Sequence, residues 1–249
     1  MPQISSVGVI GGGVMGSGIA QALAVGGCAV TVRDLNEQLI EKSRSTIAEG
    51  RYGLTRGVER GKTTQEEANA ALNRLTFSTS LGDLKDVDMV VEAVPEDLAL
   101  KRKVFAELDG IVKAGTIFAS NTSGLAIVEI ARAVSEARRA RFIGMHWFSP
   151  APVMKLVELV HAEQTSEDTV LALEDVCQRA GKVSIRVKDA PGRYGFVANR
   201  IYFAAVREAQ KVLEEGIASV EDINKAMVFG FNWPVGPLAM VEGATKGWQ

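Results

Sequence analysis

Cysteine is nearly absent. Cys28 and Cys177 are all that 249 residues contain. Two cysteines build no disulfide framework, and they suit a reducing compartment. Histidine is as scarce, with only His146 and His161. Few groups are therefore at hand to exchange protons near neutral pH. Charge of either sign does not accumulate: 28 basic and 30 acidic residues leave a net −2. That balance argues against a polyanion or an anionic membrane as partner. No apolar run is long enough to span a bilayer, and the N-terminus lacks a basic segment followed by an apolar core. The cytoplasm is the expected location. Repeats and low-complexity segments are lacking too. What remains is 47% hydrophobic and 23% charged, the make-up of a globular chain able to bury a full core.

Glycine, by contrast, is concentrated where it matters. Val7-Gly8-Val9-Ile10 runs into Gly11-Gly12-Gly13-Val14-Met15-Gly16, and a helical pattern follows. A strand turning on glycines into a helix leaves the first helical N–H groups pointing at solvent, an anion site strengthened by the helix dipole. Gly11 makes the tight turn, Gly13 lets backbone approach a pyrophosphate, and Gly16 lets helix and strand pack closely. Ala29 to Arg33 reads as a second strand ending at Asp34, 18 residues past Gly16. An acid at that spacing binds the adenosine ribose hydroxyls and favours NAD over a 2′-phosphorylated cofactor. Arg33 beside it pulls the other way. The plain alternative is a strand–turn–helix with no ligand.

Strands alternate with helices as far as residue 188. Helices are predicted over 14–25, 35–50, 97–110, 125–133 and 166–180. Strands are predicted over 75–78, 88–94, 116–120, 142–148, 155–160 and 183–187. Residues 51–74 read as a helical excursion projecting from the sheet, and Arg138 to Arg141 as a basic link. The strands are continuous Val/Ile-rich runs, the mark of a mostly parallel sheet covered on both faces. From Asp189 to Gly195 the pattern changes, and beyond it only helices are legible. The expectation is an α/β, Rossmann-type, doubly wound domain over 1–190 and a short all-helical domain over 191–249.

A dinucleotide fold does not name a substrate. Oxidising an alcohol carbon needs a base for the hydroxyl proton. His146 stands at the carboxyl end of a predicted strand, where open α/β sheets bind ligands. Glu158, in the next strand, is a carboxylate among apolar neighbours and needs a partner. Together they make an oriented imidazole; apart, His146 is a satisfied core residue. His161 reads as surface. Ser120 to Gly124 is either an N-cap cluster or a set of donors for substrate and nicotinamide ribose. Asn199, early in the first helix after the linker, is either part of a polar face or reaches into the cleft between domains.

These residues form a pattern. Gly11-x-Gly13-x-Met15-Gly16, Val91-Glu92-Ala93-Val94-Pro95-Glu96, Ser120-Asn121-Thr122-Ser123, His146-x-Phe148-x-Pro150, Met154-Lys155-Leu156-Val157-Glu158, Lys188-Asp189-x-Pro191-Gly192, Asn199-Arg200 and Gly236-Pro237 occur in order. The chain resembles the L-3-hydroxyacyl-CoA dehydrogenase family over nearly its whole length. The resemblance implies His146 as catalytic base, Glu158 as the carboxylate orienting it, and Ser123 and Asn199 around the substrate's 3-oxygen. It implies an NAD site made by Gly11, Gly13, Val14, Met15, Gly16 and Asp34, with Glu96, Lys101 and Asn121 around the nicotinamide half. The implied reaction is reversible oxidation of (S)-3-hydroxyacyl-CoA to 3-oxoacyl-CoA, a step of fatty-acid metabolism that requires no metal. A homodimer is expected, since a short helical module must bury its apolar face against a twin.

The chain departs from the family pattern at Trp147 and Ser149, usually Phe and Asn, and at Gly124, usually serine. Gly192 to Phe196 carries three extra residues, and the helical domain reads as short. Other readings of the same residues are a dehydrogenase of a free hydroxy or sugar acid, as in the family's L-gulonate branch, and a non-catalytic NAD-binding protein like the related lens crystallins.

Overall fold

The computed structural model of the chain describes residues 3–246. They fall into two compact units that part between Tyr194 and Gly195, a few residues beyond the change of pattern near 190.

The first unit is built on β1 (Ser6–Ile10), β2 (Ala29–Arg33), β3 (Leu75–Ser78), β4 (Met89–Glu92), β5 (Ile117–Ser120), β6 (Phe142–Trp147), β7 (Leu156–His161) and β8 (Val183–Lys188). They form one sheet in the order β3-β2-β1-β4-β5-β6-β7-β8. Every neighbouring pair is parallel except β6 and β7. Strands β4, β5 and β6 are buried at every residue, which is why they read as unbroken apolar runs. One face packs on α1 (Val14–Val25), whose Gly16 to Ala24 are buried. Ile19 and Leu23 of α1 share a core with Val7, Val9, Val30 and Val32. On α5 (Leu98–Asp109), Phe105 meets Phe118 and Phe142 at ring-centroid distances of 5.3 and 4.7 Å.

The strand register sets up the site. Ile10 lies beside Arg33 on one side and Glu92 on the other. Glu92 lies beside Ser120, and Ser120 beside Gly144. The carboxyl ends of β2, β1, β4, β5 and β6 thus share one edge, with the order reversing about β1. Ligands of doubly wound sheets bind outside such an edge.

Two expectations are corrected. Residues 51–74 do not project. They form α3 (Leu54–Glu59) and α4 (Gln65–Asn73), following α2 (Glu37–Glu49). Leu54, Ala68 and Ala71 are buried in the core shared with α1. The glycines and polar residues mark short helices with one small apolar face, which the charge pattern hid. Nor is Arg138 to Arg141 a basic link. Arg138 and Arg139 lie in α7 (Glu136–Arg139), after α6 (Ile127–Ala131), and Arg138 is buried. Its Nε donates to Asp109 at 2.8 Å, and Nη1 donates to the carbonyls of Lys113, Ala114 and Thr116 at 3.0, 3.0 and 2.8 Å. A guanidinium with that many acceptors is satisfied inside the fold. Helix α8 (Glu167–Arg179) is capped by Ser166, whose hydroxyl accepts from Thr169 N–H, with Glu167 and Asp168 in its first turn, as its sequence predicts.

The second unit is helical: α9 (Ala198–Glu214), α10 (Val220–Phe231) and α11 (Pro237–Lys246). Gly216 at φ 68° follows α9, and Asn232 at φ 55° ends α10. Asn224 on α10 accepts from the N–H groups of Leu238 and Ala239 at 3.1 and 3.2 Å, fastening the start of α11.

Candidate active site

The glycine loop has the geometry its spacing predicts. Gly11 sits at φ +91°, and a Cβ there would come within 2.9 Å of the Ala93 carbonyl. A Cβ on Gly16 would overlap the Gly11 carbonyl. Both positions exclude any other residue for reasons of packing and backbone. Nothing lies within 4 Å of a Cβ built on Gly13, and no side chain caps the first turn of α1. An uncapped helix start beside open space fits a pyrophosphate. Asp34 follows β2 and reaches back: Oδ2 accepts from Gly12 N–H at 2.7 Å, and Oδ1 from Leu35 N–H at 2.7 Å. It braces the loop from the end of β2. Val14 and Leu35 are apolar yet 74% and 73% exposed.

The ends of β4 and β5 hold a buried charge cluster that joins Lys101 and Glu96 to Glu92, a residue given no role above. Glu92 is fully buried. It accepts from Lys101 Nζ at 2.7 Å, Ser120 Oγ at 2.6 Å and Val94 N–H at 2.8 Å. Burial, outweighing these donors, pushes its carboxyl above the ordinary value. Lys101, 1% exposed, also lies 3.3 Å from Glu96. Glu96 in turn accepts from Thr122 Oγ1 at 2.6 Å and Ser123 N–H at 2.8 Å. Thr122 Oγ1 accepts from Leu125 N–H at 2.9 Å. The cap-like reading of 120–124 therefore holds for Thr122. Ser123 is carried on a loop held by Glu96. Asn121 Oδ1 accepts from Trp147 N–H at 2.9 Å, tying this loop to the end of β6.

His146 and Glu158 lie directly across the antiparallel β6–β7 pair. Opposed residues leave a sheet on the same face, so their side chains meet. Nδ1 and Oε2 are 2.8 Å apart, and the residues are 4% and 0% exposed. A carboxylate only accepts, so the Nδ1–H donates to it, and in the neutral imidazole the lone pair is then on Nε2. The ring of Phe148 packs against the imidazole, tilted by 52°, with centroids 4.5 Å apart. Residue His161, read as surface, is half-buried at the end of β7.

The fold thus brings Gly11 to Gly16, Asp34, Glu96, Lys101, Asn121, Ser123, His146 and Glu158 to one unit, along one sheet edge and its adjoining hairpin. Asn199 lies on α9, in the second unit. Glu92 and Thr122 are additions. The signal for Glu92 was an acid inside an otherwise apolar strand, which demands a buried partner.

A nucleotide-shaped glycine loop, an acid after β2 and a carboxylate-held imidazole on one edge define a dinucleotide-dependent dehydrogenase. Residues 6–190 match the family model "3-hydroxyacyl-CoA dehydrogenase, NAD binding domain", and residues 195–248 match "3-hydroxyacyl-CoA dehydrogenase, C-terminal domain". The chain belongs to the 3-hydroxyacyl-CoA dehydrogenase family, and its cofactor is NAD. It is 40% identical to a probable 3-hydroxybutyryl-CoA dehydrogenase of Bacillus subtilis, covering 96% of this chain and 81% of that protein. It is also 40% identical to the mitochondrial hydroxyacyl-coenzyme A dehydrogenase of Rattus norvegicus, covering 96% and 76%. The crystal structure of (S)-3-hydroxybutyryl-CoA dehydrogenase from Ralstonia eutropha matches with a TM-score of 0.89 at 44% identity, over 96% of this chain and 81% of that one.

Proposed function

We propose that this chain catalyses the reversible, NAD-dependent oxidation of (S)-3-hydroxyacyl-CoA to 3-oxoacyl-CoA, with His146 as general base. The observation that carries the assignment of the base is the 2.8 Å contact between His146 Nδ1 and Glu158, in a member of this family. Bound NAD supplies the hydride acceptor. Gly11, Gly13, Val14, Met15 and Gly16 hold its pyrophosphate region and Asp34 its adenosine ribose. Glu96, Lys101 and Asn121 shape the nicotinamide side. His146 Nε2 takes the substrate's hydroxyl proton as the C3–H bond breaks. Glu158 fixes the tautomer and stabilises the imidazolium. In the reverse direction that imidazolium returns the proton. The family pattern assigns the 3-oxygen to Ser123 and Asn199. The test is NADH oxidation with acetoacetyl-CoA and longer 3-oxoacyl-CoA esters, compared with NAD reduction by free 3-hydroxy acids and repeated with NADPH. Turnover of CoA esters with NADH is the expected result. Turnover of free acids alone would remove CoA from the reading.

A homodimer built on the helical unit belongs to the same proposal, as does a cytoplasmic location, which two unpaired, buried cysteines favour. Ile201 on α9 and Phe229 and Phe231 on α10 are 64%, 83% and 74% exposed. Large apolar side chains this exposed support an interface. Light scattering at micromolar concentration should give twice the chain mass, and Phe229→Asp should lower it to one chain. A monomeric wild type would end this part of the proposal.

A further inference from the structure

Lys182, just before β8, is an ammonium in the wrong place for a lysine. It is about nine-tenths buried. Among the described residues no carboxylate pairs with it. Its Nζ donates to the Ala151 carbonyl at 2.6 Å and the Met154 carbonyl at 2.9 Å. It also lies 5.7 Å from the Trp147 ring. Burial pulls its pKa below the ordinary lysine value. Nearby Cys177 offers no thiolate to balance it, since burial pushes that thiol up to about 12. An uncompensated buried cation is costly, and an apolar side chain of similar volume often serves stability as well or better.

What the cation holds is the turn between β6 and β7. That turn joins the strand carrying His146 to the strand carrying Glu158. Its other wall is α1, where Ala151 and Pro152 pack so closely that a Cβ on Gly18 would meet Pro152 at 2.9 Å. Within it the Pro150 carbonyl accepts from the N–H groups of Val153 and Met154, both at 3.0 Å. Phe148, at its start, packs against the imidazole at a tilt. Successive strand residues face opposite ways. Lys182 therefore grips Trp147 and the turn from the face opposite His146.

We propose that Lys182 is a positioning residue for the His146–Glu158 pair, acting through the β6–β7 turn. The proposal rests on the function proposed above. It also accounts for Trp147, whose large ring gives the ammonium a π face that phenylalanine offers less well.

The experiment uses the intact protein and Lys182→Met, with NADH binding, steady-state kinetics and proton NMR of the imidazole rings. Only two histidines contribute there, so His146 is assigned from a His161→Gln control. Lys182→Met should bind NADH to within about twofold of wild type while kcat falls by up to ~10²-fold, since small misplacements of reacting groups cost that much. The Nδ1 proton resonance of His146 should move, reporting a changed bond to Glu158. Wild-type kcat with an unmoved resonance would overturn the proposal, even if thermal stability dropped. Should Lys182→Met fail to fold, Lys182→Arg decides by the same two readouts, because it keeps a cation but displaces it. His146→Gln separates the two claims. If that variant turns over normally, the assignment of the base fails and this proposal with it. If it is inactive while Lys182→Met is normal, only the role of Lys182 is lost.

Discussion

Replacing His146 by glutamine should lower kcat by about 10²- to 10⁴-fold, the usual contribution of a positioned general acid–base group. Glutamine keeps a polar side chain of similar reach but cannot carry the proton. NADH should still bind with near wild-type affinity, because the glycine loop is held by the Arg33 carbonyl and by Asp34, not by His146. What rate survives comes from holding alcohol and nicotinamide in register. Stopped-flow fluorescence for NADH binding and steady-state assay of NADH oxidation separate the two quantities. Glu158→Gln should cost less than the histidine change. Its amide can still meet Nδ1, but it offers no negative charge to the imidazolium and no guarantee of the tautomer. A His146→Gln enzyme with unimpaired kcat would leave the base unassigned.

The second large effect concerns stability. Glu92→Ala removes the nearest partner of an ammonium that is 1% exposed and strips Ser120 Oγ and Val94 N–H of their acceptor. Breaking one side of a buried ion pair costs about 3–5 kcal/mol. For a chain of this size each 1 kcal/mol lowers the melting temperature by roughly 2–4 °C. The expected result is therefore a clear fall in melting temperature with NADH affinity also weakened, since Glu96 and the loop of Ser123 hang from the same lysine. Glu92→Ala combined with Lys101→Met should recover part of the lost stability, because no orphaned charge remains. Thermal denaturation by circular dichroism measures both. If the single variant melts with the wild type, Glu96 suffices as partner for Lys101, and the cluster is not the anchor described.

Much of this architecture is legible in residue order because its causes are local. An apolar run meeting glycines at the spacing of Gly11, Gly13 and Gly16 leaves few backbone paths. The Val/Ile-rich segments could only be buried strands. Ser166 followed by acids had to start a helix. The helical segments from 51 to 74 were harder, because each buries only a few small side chains. Arg138 was misread because a run of arginines looks solvated until carbonyls close around one of them.

The site divides the same way. His146 and Glu158 were candidates by residue type and by their neighbours. Whether they touch depends on β6 and β7 running antiparallel in the register that sets one opposite the other, and a shift of one residue would have turned one side chain to the other face. Glu92 and Lys182 were visible only as charges in apolar company. Glu92 meets Lys101 from α5 and Ser120 from β5, and Lys182 meets the carbonyls of the β6–β7 turn.

By itself, the order of residues determined a nucleotide-binding α/β sheet followed by helices, and which few side chains could move a proton. Tertiary structure alone decided that the imidazole meets its carboxylate, that Lys101 is bound to Glu92, and that Lys182 grips the turn between the two working strands. The reason is physical: turns, caps and strand burial follow from interactions between near neighbours, whereas pairing of buried charges requires distant segments to be brought within about 3 Å, a distance no local pattern encodes.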